Sequence, residues 1–128
     1  MSIQAKTVVI TGASSGIGLA LAGAFLKRGY NVVGNGRSTE RLQQAAVTLG
    51  MPDNFLPVAG DIADPATADN LIKRAVERFG QVDVFINNAG IFMVKPFTEF
   101  TPADLDSLVD TNLKGFVFPA QAAARHMV

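Results

Sequence analysis

A chain of 128 residues that is 48% hydrophobic and 17% charged has the size and composition of one folded domain with a well-buried core, which excludes a disordered tail. Eleven basic residues balance eleven acidic ones, so no general field draws in nucleic acid or anionic lipid, and any anion must be held locally. The lack of cysteine excludes disulfides, thiol nucleophiles and thiolate metal sites; with no apolar run of membrane length, the expected setting is reduced and cytoplasmic, with no membrane partner.

The leading Met1-Ser2-Ile3-Gln4-Ala5-Lys6 moves straight into a strand, leaving no room for a signal peptide's apolar region. Residues 6–10 read as a buried parallel strand, because Thr7-Val8-Val9-Ile10 is continuous and β-branched rather than alternating. The loop Thr11-Gly12-Ala13-Ser14-Ser15-Gly16-Ile17-Gly18 follows and opens a helix over 16–27, with Ala20, Leu21, Ala24 and Phe25 on one face and Gly29 as its stop. Asn31-Val32-Val33 is a short second strand. Ser38 caps a helix whose apolar positions Leu42, Ala45, Ala46 and Leu49 recur at helical spacing before Gly50.

Residues 55–58 form a weaker third strand ending at Gly60-Asp61. Asp64-Pro65 supplies a cap and an N1 proline for a helix carrying Leu71, Ile72, Ala75, Val76 and Phe79 to Gly80. Residues 82–86 form a fourth strand running into Asn87-Asn88-Ala89-Gly90. Thr101-Pro102-Ala103-Asp104 opens a last helix expected to reach about residue 125, with Leu105, Leu108, Val109, Asn112 and Phe116 on one face and a kink at Pro119. His126 reads as a surface or helix-end residue. Regular strand–helix alternation without a linker implies a single α/β domain over 1–128, its parallel sheet covered on both faces.

The glycine loop is the first candidate site. Gly12 permits the turn off the strand, Gly16 lets a pyrophosphate approach the backbone, and Gly18 lets the helix lie close to the strand. The helix N-terminus starting at Ile17 would face the phosphates, and Ser14 and Ser15 add hydroxyl donors. No Gly-Lys-Ser/Thr follows, so this is no triphosphatase phosphate loop, and the spacing differs from G-x-G-x-x-G; an ordinary strand-to-helix turn is the alternative. In dinucleotide folds an acid at the end of the second strand selects NAD, whereas here Gly34-Asn35-Gly36-Arg37 carries no carboxylate. Arg37 suits a 2′-phosphate and points to NADP(H) over NAD(H); a solvated arginine is the alternative. Asp61 could accept from an adenine amino group with Ile62 as an apolar wall, or be a plain turn residue. Asn88-Ala89-Gly90 ends the fourth strand on the same sheet edge.

These four features together resemble the short-chain dehydrogenase/reductase family: its T-G-x-x-x-G-x-G loop at Thr11 to Gly18, its acidic adenine contact at Asp61, its N-N-A-G motif from Asn87, and its helical asparagine at Asn112 in Val109-Asp110-Thr111-Asn112-Leu113. The resemblance implies a Rossmann-type α/β/α fold, strand order 3-2-1-4 in this chain, and reversible hydride transfer between nicotinamide and a small carbonyl or alcohol substrate. It also implies that Asn112 holds a water in a proton relay, while a serine and a Tyr-x-x-x-Lys pair handle the substrate oxygen. The chain departs from the family there: its only tyrosine, Tyr30, has no lysine four positions on and reads as a turn residue. The expectation is therefore the cofactor-binding half of an NADP(H)-dependent enzyme, inactive alone and homo-oligomeric when full length. A non-catalytic dinucleotide-binding module or a cut fragment is the alternative; a methyltransferase is disfavoured by Arg37 and the N-N-A-G motif. Phe92, Met93, Val94 and Phe97 fit a substrate wall or packing beneath a loop, and packing is the expectation.

Overall fold

The computed structural model describes residues 5–128, so the expectation for residues 1–4 lies outside the described residues. Strands β1 (Thr7–Ile10), β2 (Asn31–Gly36), β3 (Phe55–Ala59) and β4 (Val84–Ile86) form one parallel sheet in the order β3-β2-β1-β4. Helices α1 (Gly16–Lys27), α2 (Thr39–Thr48), α3 (Pro65–Phe79), α4 (Pro102–Leu108) and α5 (Gly115–Met127) complete the chain, with a 3-10 turn at Phe97–Glu99 and a π-helical stretch at Val109–Lys114 joining the last two. Among the described residues no helix is long and apolar enough to cross a membrane.

The unbroken β-branched run of β1 is buried on both sides, as its composition requires: Val8, Val9 and Ile10 are all 0% exposed. Side-chain alternation splits the strands between two cores. Val8, Ile10, Val32 and Phe55 pack with Ala22 of α1 and Ala46 of α2, while Val9, Val33 and Val58 pack with Leu71 and Ala75 of α3 and Ala122 and Ala123 of α5. The result is the predicted α/β/α sandwich, in which each fully buried Val or Leu contributes roughly 1.5–3 kcal/mol.

Helix starts follow local chemistry. Ser38 Oγ accepts from the Arg41 N–H at 3.2 Å, Asp64 Oδ1 accepts from the Ala66 N–H at 2.9 Å, and Thr101 and Asp104 form a reciprocal capping box. Gly80, at φ 88°, closes α3.

Three boundaries differ from expectation. β2 runs on through Gly34-Asn35-Gly36, which pair with Pro57, Val58 and Ala59; the Phe55 ring occupies the space of a Gly34 side chain, since an added Cβ would lie 2.9 Å from it. β4 starts two residues late: the Val82 N–H donates to His126 Nε2 at 3.2 Å, in the last turn of α5, and the Thr7 N–H is taken by the Asp83 carboxylate at 2.8 Å rather than by a strand carbonyl. The last helix is not one rod kinked at Pro119. It widens earlier, at Val109–Lys114, where Asn112 is tethered to Ile91, and Pro119 lies buried inside α5. Leu105 and Phe116, placed on the buried face by periodicity, are 59% and 47% exposed.

Candidate functional site

A cleft of about 230 Å3 lies at the carboxyl ends of β1, β2 and β4, the edge where open parallel sheets bind ligands. Six residues of the predicted set line it: Gly12, Ser14, Arg37, Ile62, Ala89 and Gly90. Asn35, Gly36, Ser38, Arg41, Ile91 and Thr111 also line it and were not foreseen.

The floor is set by close backbone approach. Thr11 Oγ1, buried at the end of β1, accepts the N–H groups of Asn88 and Ala89 at 3.0 Å each, and Asn88 Nδ2 donates to the Gly12 carbonyl at 3.1 Å. Gly12 turns off the strand at φ 65°, and a Cβ there would sit 3.0 Å from Ala89 Cα. Gly18 brings α1 against the loop so tightly that a Cβ would fall 2.0 Å from the Gly12 oxygen. Asn35 completes the frame: its carbonyl accepts the Ala13 N–H at 2.9 Å, and its buried Nδ2 donates to Val58 and Gly60 carbonyls at 3.0 and 3.3 Å. A lone asparagine between glycines at the end of an apolar strand was the sequence signal for this role.

Gly16 stands differently. It adopts φ 56°, and a Cβ there would meet nothing within 4 Å. Ser15 precedes α1 without a side-chain cap, so the first amides of that helix receive no side-chain acceptor from Ser15. Gly16, Ser15 and Ile17, the last 73% exposed, lie outside the cleft lining, as do Gly18 and Asn88, which brace Gly12 from beneath.

Asp61 is outside the lining too; its Oδ1 accepts the Ala63 N–H at 3.0 Å in a local turn, and Ile62 is 3% exposed, spending most of its surface on the core. Asn112 reaches the cleft through its neighbour: Oδ1 accepts the Ile91 N–H at 2.8 Å and Nδ2 donates to the Ile91 carbonyl at 3.0 Å. Tyr30 packs edge-on against Phe25 at 4.9 Å, a structural contact. The packing expectation for the segment after β4 is corrected: Phe92, Val94 and Phe97 are 87%, 83% and 91% exposed and lie beneath no loop, and Met93 is half-buried.

The cleft's charge is one-sided. Its lining holds two arginines and no carboxylate, in a chain whose net charge is zero. Among the described residues no cluster of three or more His, Cys, Asp or Glu could hold a metal. Away from the cleft, the Lys95 ammonium and the Thr101 N–H hold the Asp104 carboxyl below the usual carboxylate range.

A sequence model described as short chain dehydrogenase matches residues 6–128. The chain belongs to the short-chain dehydrogenase family. Family members use nicotinamide cofactors, and the fold described above is that of solved relatives: a short-chain dehydrogenase/reductase described as glucose/ribitol dehydrogenase from Brucella melitensis superposes with a TM-score of 0.91 at 33% identity, over 96% of this chain and 52% of that one. L-rhamnose-1-dehydrogenase of Scheffersomyces stipitis is 39% identical over 98% of this chain and 51% of its own length. L-rhamnose 1-dehydrogenase (NAD(P)(+)) of a Sphingomonas species is 38% identical over 98% of this chain and 50% of its own. The chain thus spans about half the length of the short-chain dehydrogenases it matches.

Proposed function

We propose that this chain is the cofactor-binding half of a cytoplasmic NADP(H)-dependent oxidoreductase acting on a small carbonyl or alcohol substrate. The observation that carries the reading is the cleft itself: a glycine-floored, carboxylate-free recess at the carboxyl edge of a parallel sheet, with Arg37 on its wall. The residues fit a dinucleotide. Gly16 leaves open the space a side chain would fill, Ser14 offers a hydroxyl, and the uncapped amides of α1 face a diphosphate. When bound, the nicotinamide would supply or accept the hydride.

The chain's own residues bind and orient. Arg37 takes the 2′-phosphate, Asp61 and Ile62 the adenine, and Asn88-Ala89-Gly90 the ribose side of the cleft; Asn112 holds the Ile91 backbone at the cleft wall. Proton transfer to the substrate oxygen would fall to a Tyr-x-x-x-Lys pair that these 128 residues do not contain; the half-length match to relatives supports its lying in further polypeptide. One relative's name spans both cofactors, so the choice is argued from Arg37 alone. Calorimetric titration tests it: NADPH should bind more tightly than NADH, and Arg37→Asp should narrow or reverse the gap by on the order of 1.5–3 kcal/mol. Equal affinity for both before mutation rejects the role of Arg37.

A further inference from the structure

We infer that Pro57 closes the outer edge of β3 to strand pairing with a second copy of this chain. Among the described residues β3 is the last strand on its side of the sheet, so its outer edge is a row of backbone groups that a strand of another molecule can pair with. The hydrogen bonds flanking the strand fix which residues form that row. The Asn54 carbonyl accepts the Val32 N–H at 2.8 Å and the Gly60 N–H donates to the Gly36 carbonyl at 3.0 Å, so Asn54 and Gly60 both turn these groups to β2. Backbone groups alternate in direction along a strand, which turns those of Leu56 and Val58 inward as well and those of Phe55, Pro57 and Ala59 outward.

Little of that row can donate. The Phe55 N–H is taken by the Pro52 carbonyl at 3.2 Å, and Pro57 has no N–H, which leaves the Ala59 N–H at the exposed end of the strand. A two-fold axis that sets β3 against its copy runs the two strands antiparallel, and when it passes through residue 57 each proline faces the other. Residues facing each other there would exchange two N–H···O bonds, and proline supplies neither donor. The position matters as much as the residue: at 56 or 58 a proline would take a donor from the β2–β3 ladder, whereas at 57 it takes none. The strand needs such a block, because Phe55-Leu56-Pro57-Val58-Ala59 carries no charge and is otherwise apolar, a composition that invites edge-to-edge association.

The test is sedimentation velocity of the full chain carrying Pro57→Val or Pro57→Thr beside wild type, with hydrogen exchange of the Ala59 amide in each. Both substitutions restore the N–H on a β-branched residue, and threonine does so with a polar side chain. Each variant should keep the wild-type far-UV circular dichroism and associate as concentration rises, reaching about twice the wild-type mass, with the Ala59 amide exchanging about tenfold more slowly or less in the associated species. Folded variants that keep the wild-type mass overturn the proposal. So does association of the valine variant while a folded threonine variant keeps the wild-type mass, which marks a sticky side chain rather than backbone pairing. Association with unchanged Ala59 exchange overturns it, as does an Ala59 amide already protected in wild type, because that edge is then paired. Loss of the fold in both variants overturns it too, since it assigns Pro57 to the stability of β3 itself.

Discussion

Gly18→Ala separates close backbone approach from helix propensity, because the two effects have opposite signs. Alanine should stabilise α1 by about 1 kcal/mol through propensity. Its Cβ, however, would sit 2.0 Å from the Gly12 oxygen and 2.6 Å from Asn88 Nδ2. A carbon–oxygen contact needs about 3.3 Å, so α1 and the loop must part by more than about 1 Å. That displacement costs about 1–3 kcal/mol as overpacking, and stretching the Asn88–Gly12 hydrogen bond adds about 1 kcal/mol. The net expectation is a loss of about 1–3 kcal/mol, with dinucleotide affinity falling as Gly12 moves. Gly23→Ala on the same helix is the control: its Cβ meets only Leu49 Cδ2, at an ordinary 3.5 Å, so propensity wins and stability rises by about 0.5–1 kcal/mol. Urea unfolding followed by far-UV circular dichroism measures both. A Gly18→Ala protein as stable as wild type, or a Gly23→Ala protein that loses as much, refutes the reasoning.

Gly16→Ala should cost about 1–2 kcal/mol from its left-handed φ alone, and should lower dinucleotide affinity well beyond that; intact affinity in titration means the phosphates lie elsewhere. Asn112→Leu removes both hydrogen bonds to the Ile91 backbone, so stability should drop by about 1–2 kcal/mol and the Ile91 amide should exchange faster; unchanged exchange contradicts the tether. Asp104 titrates below the usual carboxylate range, held there first by Lys95 and then by the Thr101 N–H. A depressed folded pKa contributes stability that is present above the unfolded value, near about 3.9, and is lost as pH falls through the lowered one. The amide resonances of α4 should therefore shift in acid below that value, and Asp104→Asn should abolish the transition; a transition retained in the variant contradicts the assignment.

What the sequence made legible was local. The Ser38, Asp64 and Thr101 caps each depend on residues two or three positions away, and the β-branched run of β1 announces its burial by composition alone. The glycine loop was legible for the same reason, since Gly12 and Gly18 do steric work that only a missing Cβ permits. The misplaced features are set by distant partners. The π-helical stretch forms where Asn112 meets Ile91, 21 residues earlier, and ahead of β4 the Val82 N–H goes to His126, 44 residues later, while the Thr7 N–H goes to the Asp83 side chain. The continuation of β2 was hidden because Gly34-Asn35-Gly36 has the composition of a turn, although Asn35 pins the ends of β2 and β3 together. Arg41 escaped notice because its place in the cleft lining is set by the fold, not by its neighbours in the chain.

The most direct measurement is a crystal structure of the protein saturated with NADP(H). Density for the diphosphate over the loop from Gly12 to Gly18, with the 2′-phosphate beside Arg37, is the expected result. Density elsewhere, or an empty cleft at saturating cofactor, contradicts the proposed function.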